Sequence, residues 1–152
     1  TYIPLGEGHV YLTAVIDWSS RYVISWKLSN SLDTAFCIEC LEDALEAEDR
    51  PEIFNTDQGC QYTSEAFTGV LKSHDIRISM DGKGRALDNV MIERLWRTVK
   101  YDDIFIRGYE TMSELYQGLS AFFRKYNTRK HQTLGMSPEQ KYREGLEMKD
   151  AA

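Results

Sequence analysis

No apolar run in this 152-residue chain approaches the roughly 20 residues needed to cross a bilayer, so no membrane-spanning helix is expected. The opening residues Thr1-Tyr2-Ile3-Pro4 lack the basic region and apolar stretch of a secretory leader. They also lack an initiator methionine, which points to a processed or excised polypeptide. Cysteine is sparse and odd in number. Cys37, Cys40 and Cys60 leave no room for a disulfide framework and fit a reducing cytosol. Cys37-Ile38-Glu39-Cys40 is a lone pair, and a structural zinc site wants a second one, so these thiols read as plain helix residues. Repeats, low-complexity tracts and linkers are missing too, which leaves one domain over residues 1–152.

The composition is that of a folded protein: 42 % apolar and 12 % aromatic residues, enough to bury a real core. The net charge of −6 argues mildly against a polyanionic partner, but the distribution of charge weakens that argument. Between Asp33 and Glu52 the acids Asp33, Glu39, Glu42, Asp43, Glu46, Glu48, Asp49 and Glu52 face only Arg50. This stretch reads as a solvated helix face. Between Lys83 and Lys130 basic residues predominate, and a basic surface around an acidic centre suits a phosphodiester.

His9 to Asp17 and Arg21 to Leu28 are β-branched and aromatic runs joined by Trp18-Ser19-Ser20, a hairpin signal. Thr1 to Pro4 reads as the tail of an earlier strand, before a Gly6-Glu7-Gly8 turn. Helical spacing of Phe36, Cys40, Leu41, Ala44 and Leu45 predicts a helix over 33–48. Short strands are expected at 52–55 and 76–80, a helix at 64–74 between them, and a flexible loop at Asp81-Gly82-Lys83-Gly84. One helix is expected from Asp88 to Lys100 and a long amphipathic one from Glu110 to Asn127. Ser137-Pro138-Glu139 reads as a cap opening a last short helix. A meander followed by βαβ units predicts an α/β fold of ribonuclease-H-like type, a mixed sheet with helices on both faces.

Two carboxylates stand out. Asp57 follows a strand in Asn55-Thr56-Asp57-Gln58-Gly59-Cys60-Gln61-Tyr62, and Glu93 lies on a helix with 35 residues between them. Acids at a strand end and on a neighbouring helix can share divalent cations, and paired cations about 3.5–4 Å apart clamp both oxygens of an in-line displacement at phosphorus. Hard oxygen ligands suit Mg²⁺ or Mn²⁺. The face of Glu93 carries Asn89, Trp96, Arg97 and Lys100, a mixed polar stripe suiting a site better than a core. Gln58, Gln61 and Asn89 are candidates for orienting the acids or contacting nucleotides. Lys83 and Arg85 are candidate nucleic-acid contacts, although flexible lysines near glycine are common. Asp17 ends a strand and could substitute for another acid, but the plainer reading is a carboxylate that holds the hairpin turn. Trp18, Trp26 and Trp96 could stack on bases; for Trp26, which alternates with apolar neighbours, a half-buried position is the better expectation.

Thr1-Tyr2-Ile3-Pro4, Tyr11 to Asp17, Ser20-Arg21, Asn55 to Ser64, Ser79 to Gly84, Asp88 to Trp96, and Tyr126-Asn127 through His131 to Ser137-Pro138 cover nearly the whole chain. Together they resemble the integrase-type catalytic core of bacterial insertion-sequence transposases, in the DDE superfamily that includes retroviral integrases. The resemblance implies metal-dependent 3′-end processing and strand transfer of DNA, with Asp57 and Glu93 as catalytic metal ligands. It also implies element-end and target DNA as partners, DNA contacts at Arg97 and Lys100, a homo-oligomer, and a cytoplasmic, nucleoid-associated location. In the family a first acid stands two residues before the Thr-Tyr of the first strand, where this sequence begins. The expectation is therefore a truncated first strand, no helix-turn-helix region, and weak or no activity for these residues alone. Two rival readings remain open: a hydrolytic nuclease of the same fold, and a non-catalytic DNA-binding or oligomerising remnant.

Overall fold

β-branched and aromatic residues from Tyr2 to Ser29 form three strands in a computed structural model that describes residues 1–57, 59–80 and 90–151. β1 (Tyr2–Leu5), β2 (Gly8–Ile16) and β3 (Val23–Ser29) pair antiparallel in the order β1-β2-β3, with Tyr2 opposite Tyr11 and Leu12 opposite Leu28. Gly6, at φ +58, takes the left-handed turn conformation that glycine adopts without a steric penalty. The hairpin loop is wider than expected. Asp17 and Tyr22 close it, and the Asp17 Oδ2 accepts from both the backbone N–H and the hydroxyl of Ser20, at 2.9 and 2.6 Å. Asp17 thus holds the turn, in line with its plainer reading.

Period-two alternation sends β2 side chains to opposite faces. Val10 and Leu12 enter a core with Ile3, Val23, Leu95, Leu115, Leu119 and Phe123, while Tyr11 packs against a second core of Phe36, Cys37, Leu41, Phe67, Leu71 and Ile76. Each fully buried leucine contributes about 1.5–3 kcal/mol. The second core is roofed by α1 (Thr34–Ala47), whose N-terminus is capped by Asp33 accepting from Phe36 N at 3.2 Å. It rests on β4 (Ile53–Thr56) and β5 (Arg77–Met80), a parallel pair with Ile53 opposite Arg77. The crossover between them carries α2 (Cys60–Thr63), where the residue types predict only a turn, and α3 (Glu65–Ser73), capped by Ser64. Among the described residues the antiparallel and parallel strands form two separate hydrogen-bonded units. Side chains join them: the hydroxyls of Thr13 and Tyr62 lie 3.1 Å apart, and Ser25 Oγ donates to the Cys40 carbonyl at 2.7 Å.

Leu95 and Val99 anchor α4 (Val90–Val99) in the first core. The helix does not stop at Lys100. A π-helical turn, Lys100–Ile104, carries it into α5 (Phe105–Arg107), and Gly108 ends it at φ 62. α6 (Met112–Thr128), capped by Thr111, lays Leu115, Leu119 and Phe123 on the sheet. Ser137 caps α7 (Pro138–Ala151), 14 residues long rather than short. It docks on α1 through a bidentate Arg143–Glu48 pair, with both contacts at 2.8 Å. Helices lie on both sheet faces, as expected. The 81–84 loop and the start of the helix at Asp88 lie outside the described residues.

Candidate active site

β4 buries Thr56 and delivers Asp57 to the surface at its carboxyl end. The chain then turns at once. Asp57 Oδ1 accepts from Gly59 N at 2.7 Å, an Asx turn that leaves the second carboxylate oxygen for another partner. Glycine suits this close approach: a Cβ at Gly59 would stand 2.8 Å from Asp57 Oδ1 and 3.4 Å from Gln61 Oε1, so the carboxylate would have to shift. The half-buried Gln61 therefore borders the same pocket of space as the carboxylate.

Glu93 is exposed in the first turn of α4, where the helix dipole favours an anion. Neither Asp57 nor Glu93 forms an ion pair among the described residues. Two exposed carboxylates with no cationic partner suit a hard divalent cation, so the donor chemistry fits the expected metal. No cluster of three or more His, Cys, Asp or Glu is assembled among the described residues.

The start of β1 meets the helix that carries Glu93. The Thr1 backbone nitrogen donates to the Leu12 carbonyl at 2.9 Å, and Lys100 Nζ donates to Thr1 Oγ1 at 2.7 Å while sitting 5.5 Å from the Tyr2 ring centroid. Lys100 is thus seated at the start of β1, and it follows Glu93 by about 10 Å along the same helix.

The remaining candidates separate clearly. Arg97 is exposed, with its guanidinium 5.9 Å from the Tyr101 ring centroid. Trp96 packs against the first core, so the stripe beside Glu93 is less polar than its sequence suggests. Trp26 is half-buried against Tyr116 and Phe123, and Trp18 is exposed. Burial raises both the Cys37 and Cys40 thiols, the latter to about 12, which suits inert core residues rather than nucleophiles. Gln58, Lys83, Arg85 and Asn89 lie outside the described residues. The role of His131 is unreadable in sequence: its Nε2 accepts from Arg21 at 3.1 Å, across 110 positions. Burial, then the Arg21 charge, lowers the His131 pKa and keeps the ring neutral.

Comparison with known proteins identifies the fold as an integrase-type core. An integrase core domain model matches residues 1–86 and a second integrase core domain model matches 74–138. The chain belongs to the integrase core domain family. It is 32 % identical over 139 residues to the transposase for insertion sequence element IS904 of Lactococcus lactis, and 33 % identical over 147 residues to transposase InsF of insertion sequence IS3A of Escherichia coli. These matches cover 90 and 92 % of the chain but 54 and 50 % of the relatives, so the chain spans about half their length. The fold matches a chain of the simian T-cell lymphotropic virus intasome (TM-score 0.79, 21 % identity, covering 92 % of this chain and 50 % of that one). It also matches the HTLV-2 integrase catalytic core solved with magnesium (0.72, 18 %, 92 and 89 %) and the BIV integrase core (0.75, 15 %, 98 and 94 %). The architecture is ribonuclease-H-like. Among the described residues no helix is long and apolar enough to cross a membrane.

Proposed function

We propose that this chain is the catalytic core of a bacterial DNA transposase, acting in 3′-end processing and strand transfer with Mg²⁺ or Mn²⁺ held by Asp57 and Glu93. The observation that carries this reading is the pair of exposed carboxylates at the end of β4 and on α4, which form no ion pair among the described residues, within the integrase core fold. The magnesium-bound state of a structural neighbour supports the choice of ion. Bound divalent cations supply charge stabilisation at the phosphoryl group and a more acidic water. The protein's own part is positional. The Gly59 turn fixes Asp57, Gln61 orients near it, and α4 presents Glu93 and Arg97 along one exposed side. Arg97 and Lys100 bind DNA phosphates; Lys100 adds charge from its place against Thr1. Gln58 and Asn89 assist the acids, and Lys83 and Arg85 contact DNA. Partners are element-end and target DNA and further copies of the chain, in a cytoplasmic, nucleoid-associated setting.

Two acids hold two ions poorly, and we place the third two residues before Thr1. If the β1–β2 register continues, that position stands opposite Ala14, since Tyr2 faces Tyr11. Asp17 lies three residues beyond Ala14 along β2, about 10 Å from that position, and its carboxylate is engaged by Ser20. The single domain of residues 1–152 therefore nicks DNA weakly by itself. The test is Mn²⁺-dependent nicking of a labelled element-end duplex by the chain with and without an Asp restored at that position. The extended chain is expected to nick, and Asp57→Asn or Glu93→Gln to reduce nicking at least 100-fold. Robust strand transfer by residues 1–152 alone, abolished by Asp17→Asn, would refute the assignment.

A further inference from the structure

One sizeable groove among the described residues lies away from the carboxylates. A groove of about 1060 Å³ runs between α4 and α6, floored by Ile16, Leu95 and Phe122, and touches neither Asp57 nor Glu93. Met91, Leu95, Thr98 and Asp102 line it from α4 and the turn that follows at spacings of three and four, one stripe of the helix. Glu93 follows Met91 by two residues and so lies about 200° around the axis, on the opposite flank.

The groove is electropositive in an acidic protein. Seven of its lining residues are basic and three acidic, against a net chain charge of −6. Two of those acids are already engaged in the wall: Asp103 accepts from Tyr109 and pairs with Arg107 at 3.6 Å, and Glu114 accepts from Glu110 N at 3.1 Å. Arg94, Lys125, Arg129 and Lys130 are exposed and form no ion pair among the described residues. Arg21 is held in the wall by its left-handed backbone (φ 62) and its hydrogen bond to His131. A helix C-terminus does favour cations, which accounts for Lys125 and Arg129 singly. It does not account for Arg94 on another helix and Arg21 on the hairpin converging on one concave surface, where low-dielectric walls concentrate the field.

We propose that this groove binds the phosphate backbone of a DNA segment distinct from the strand at the carboxylates. The inference rests on the transposase reading, because joining two DNAs requires that both be held. The occupant is DNA rather than an acidic peptide because repeated cations on two helices and a hairpin match a repeating anion, with the charge spread along the groove.

The test is anisotropy of a fluorescent 40-base-pair duplex against salt, without divalent metal, for the 152-residue chain and its variants. Lys125→Gln/Arg129→Gln/Lys130→Gln is expected to lower the log–log salt slope by about 2.7, at about 0.9 for each phosphate no longer neutralised. Lys100→Gln, on the catalytic flank and outside the groove lining, is expected to lower it by about 0.9. Arg94→Gln/Lys130→Gln repeats the groove test should the triple variant misfold. A slope unchanged in the groove variants but lowered in the flank variant overturns the groove and leaves the transposase reading standing. Absence of DNA binding by the parent chain overturns both. An unchanged slope accompanied by loss of self-association in sedimentation assigns the groove to the acidic α1 face of a second copy and also refutes the proposal.

Discussion

Replacing Gly118 by alanine should destabilise the protein, although alanine is the better helix former. Gly118 lies inside α6, where Gly→Ala normally gains about 1 kcal/mol. Here a Cβ would collide with the ring and hydroxyl of Tyr109, which lie directly over the helix backbone. That hydroxyl donates at 2.8 Å to Asp103 Oδ2, whose residue is only 7 % exposed. Displacing the ring costs about 1–3 kcal/mol in overpacking. Losing a hydrogen bond to a buried carboxylate costs about 1.5–3 kcal/mol more. Set against the helical gain, the net loss is about 1.5–5 kcal/mol. Urea unfolding followed by circular dichroism measures it. Tyr109→Phe, which removes only the hydrogen bond, should cost the smaller share. In a Tyr109→Ala background, Gly118→Ala should become neutral or stabilising. A Gly118→Ala variant more stable than the parent would show that Tyr109 moves aside freely and would refute the reasoning.

Asn127 spans β3 with two bonds, accepting from Val23 N and donating to Val23 O, both at 2.9 Å. Asn127→Ala should cost about 2 kcal/mol in chemical denaturation; a loss below about 0.5 kcal/mol would mean that water replaces the amide. Removing Arg143 strands Glu48, whose side chain is 8 % exposed, so Arg143→Met should destabilise by about 3 kcal/mol, while Arg143→Met/Glu48→Met should recover most of that loss. Burial, with Asp103 for Tyr109 and Glu48 for Tyr142, pushes both phenols up to about 12. The folded state therefore favours their neutral form, and this contribution is complete below about pH 10 and lost as pH rises towards 12. Phenolate absorbance should lag behind that of free tyrosine until unfolding begins, and an ordinary midpoint with the fold intact would contradict it.

Local chemistry was legible in sequence. Ser137-Pro138 acts through a neighbour three residues away, so that cap followed from residue types alone, whereas Asp33, expected inside its helix, caps it instead. The continuation of α4 was not legible. Core-facing positions run Leu95, Val99 and then Ile104, a five-residue step imposed by the π turn, and a 3.6-residue pattern loses phase there. The basic groove was hidden for another reason. Its charges were visible as a run of basic residues, but their convergence depends on contacts such as Arg21–His131, which no local spacing encodes.

The two cores have a consequence for the carboxylates. Asp57 rides on the body built around α1, α3, β4 and β5, whereas Glu93 rides on a helix seated in the body around β1 to β3 and α6. No strand ladder locks one body to the other among the described residues. A cation shared by the two acids would be a strut added to the packing of α1 on β2 and β3, and its affinity would read out the alignment of the two bodies. Cavities cut far from the surface, at Leu71 in one half or Leu115 in the other, would then be felt first as slackened metal binding, before either half lost its own fold.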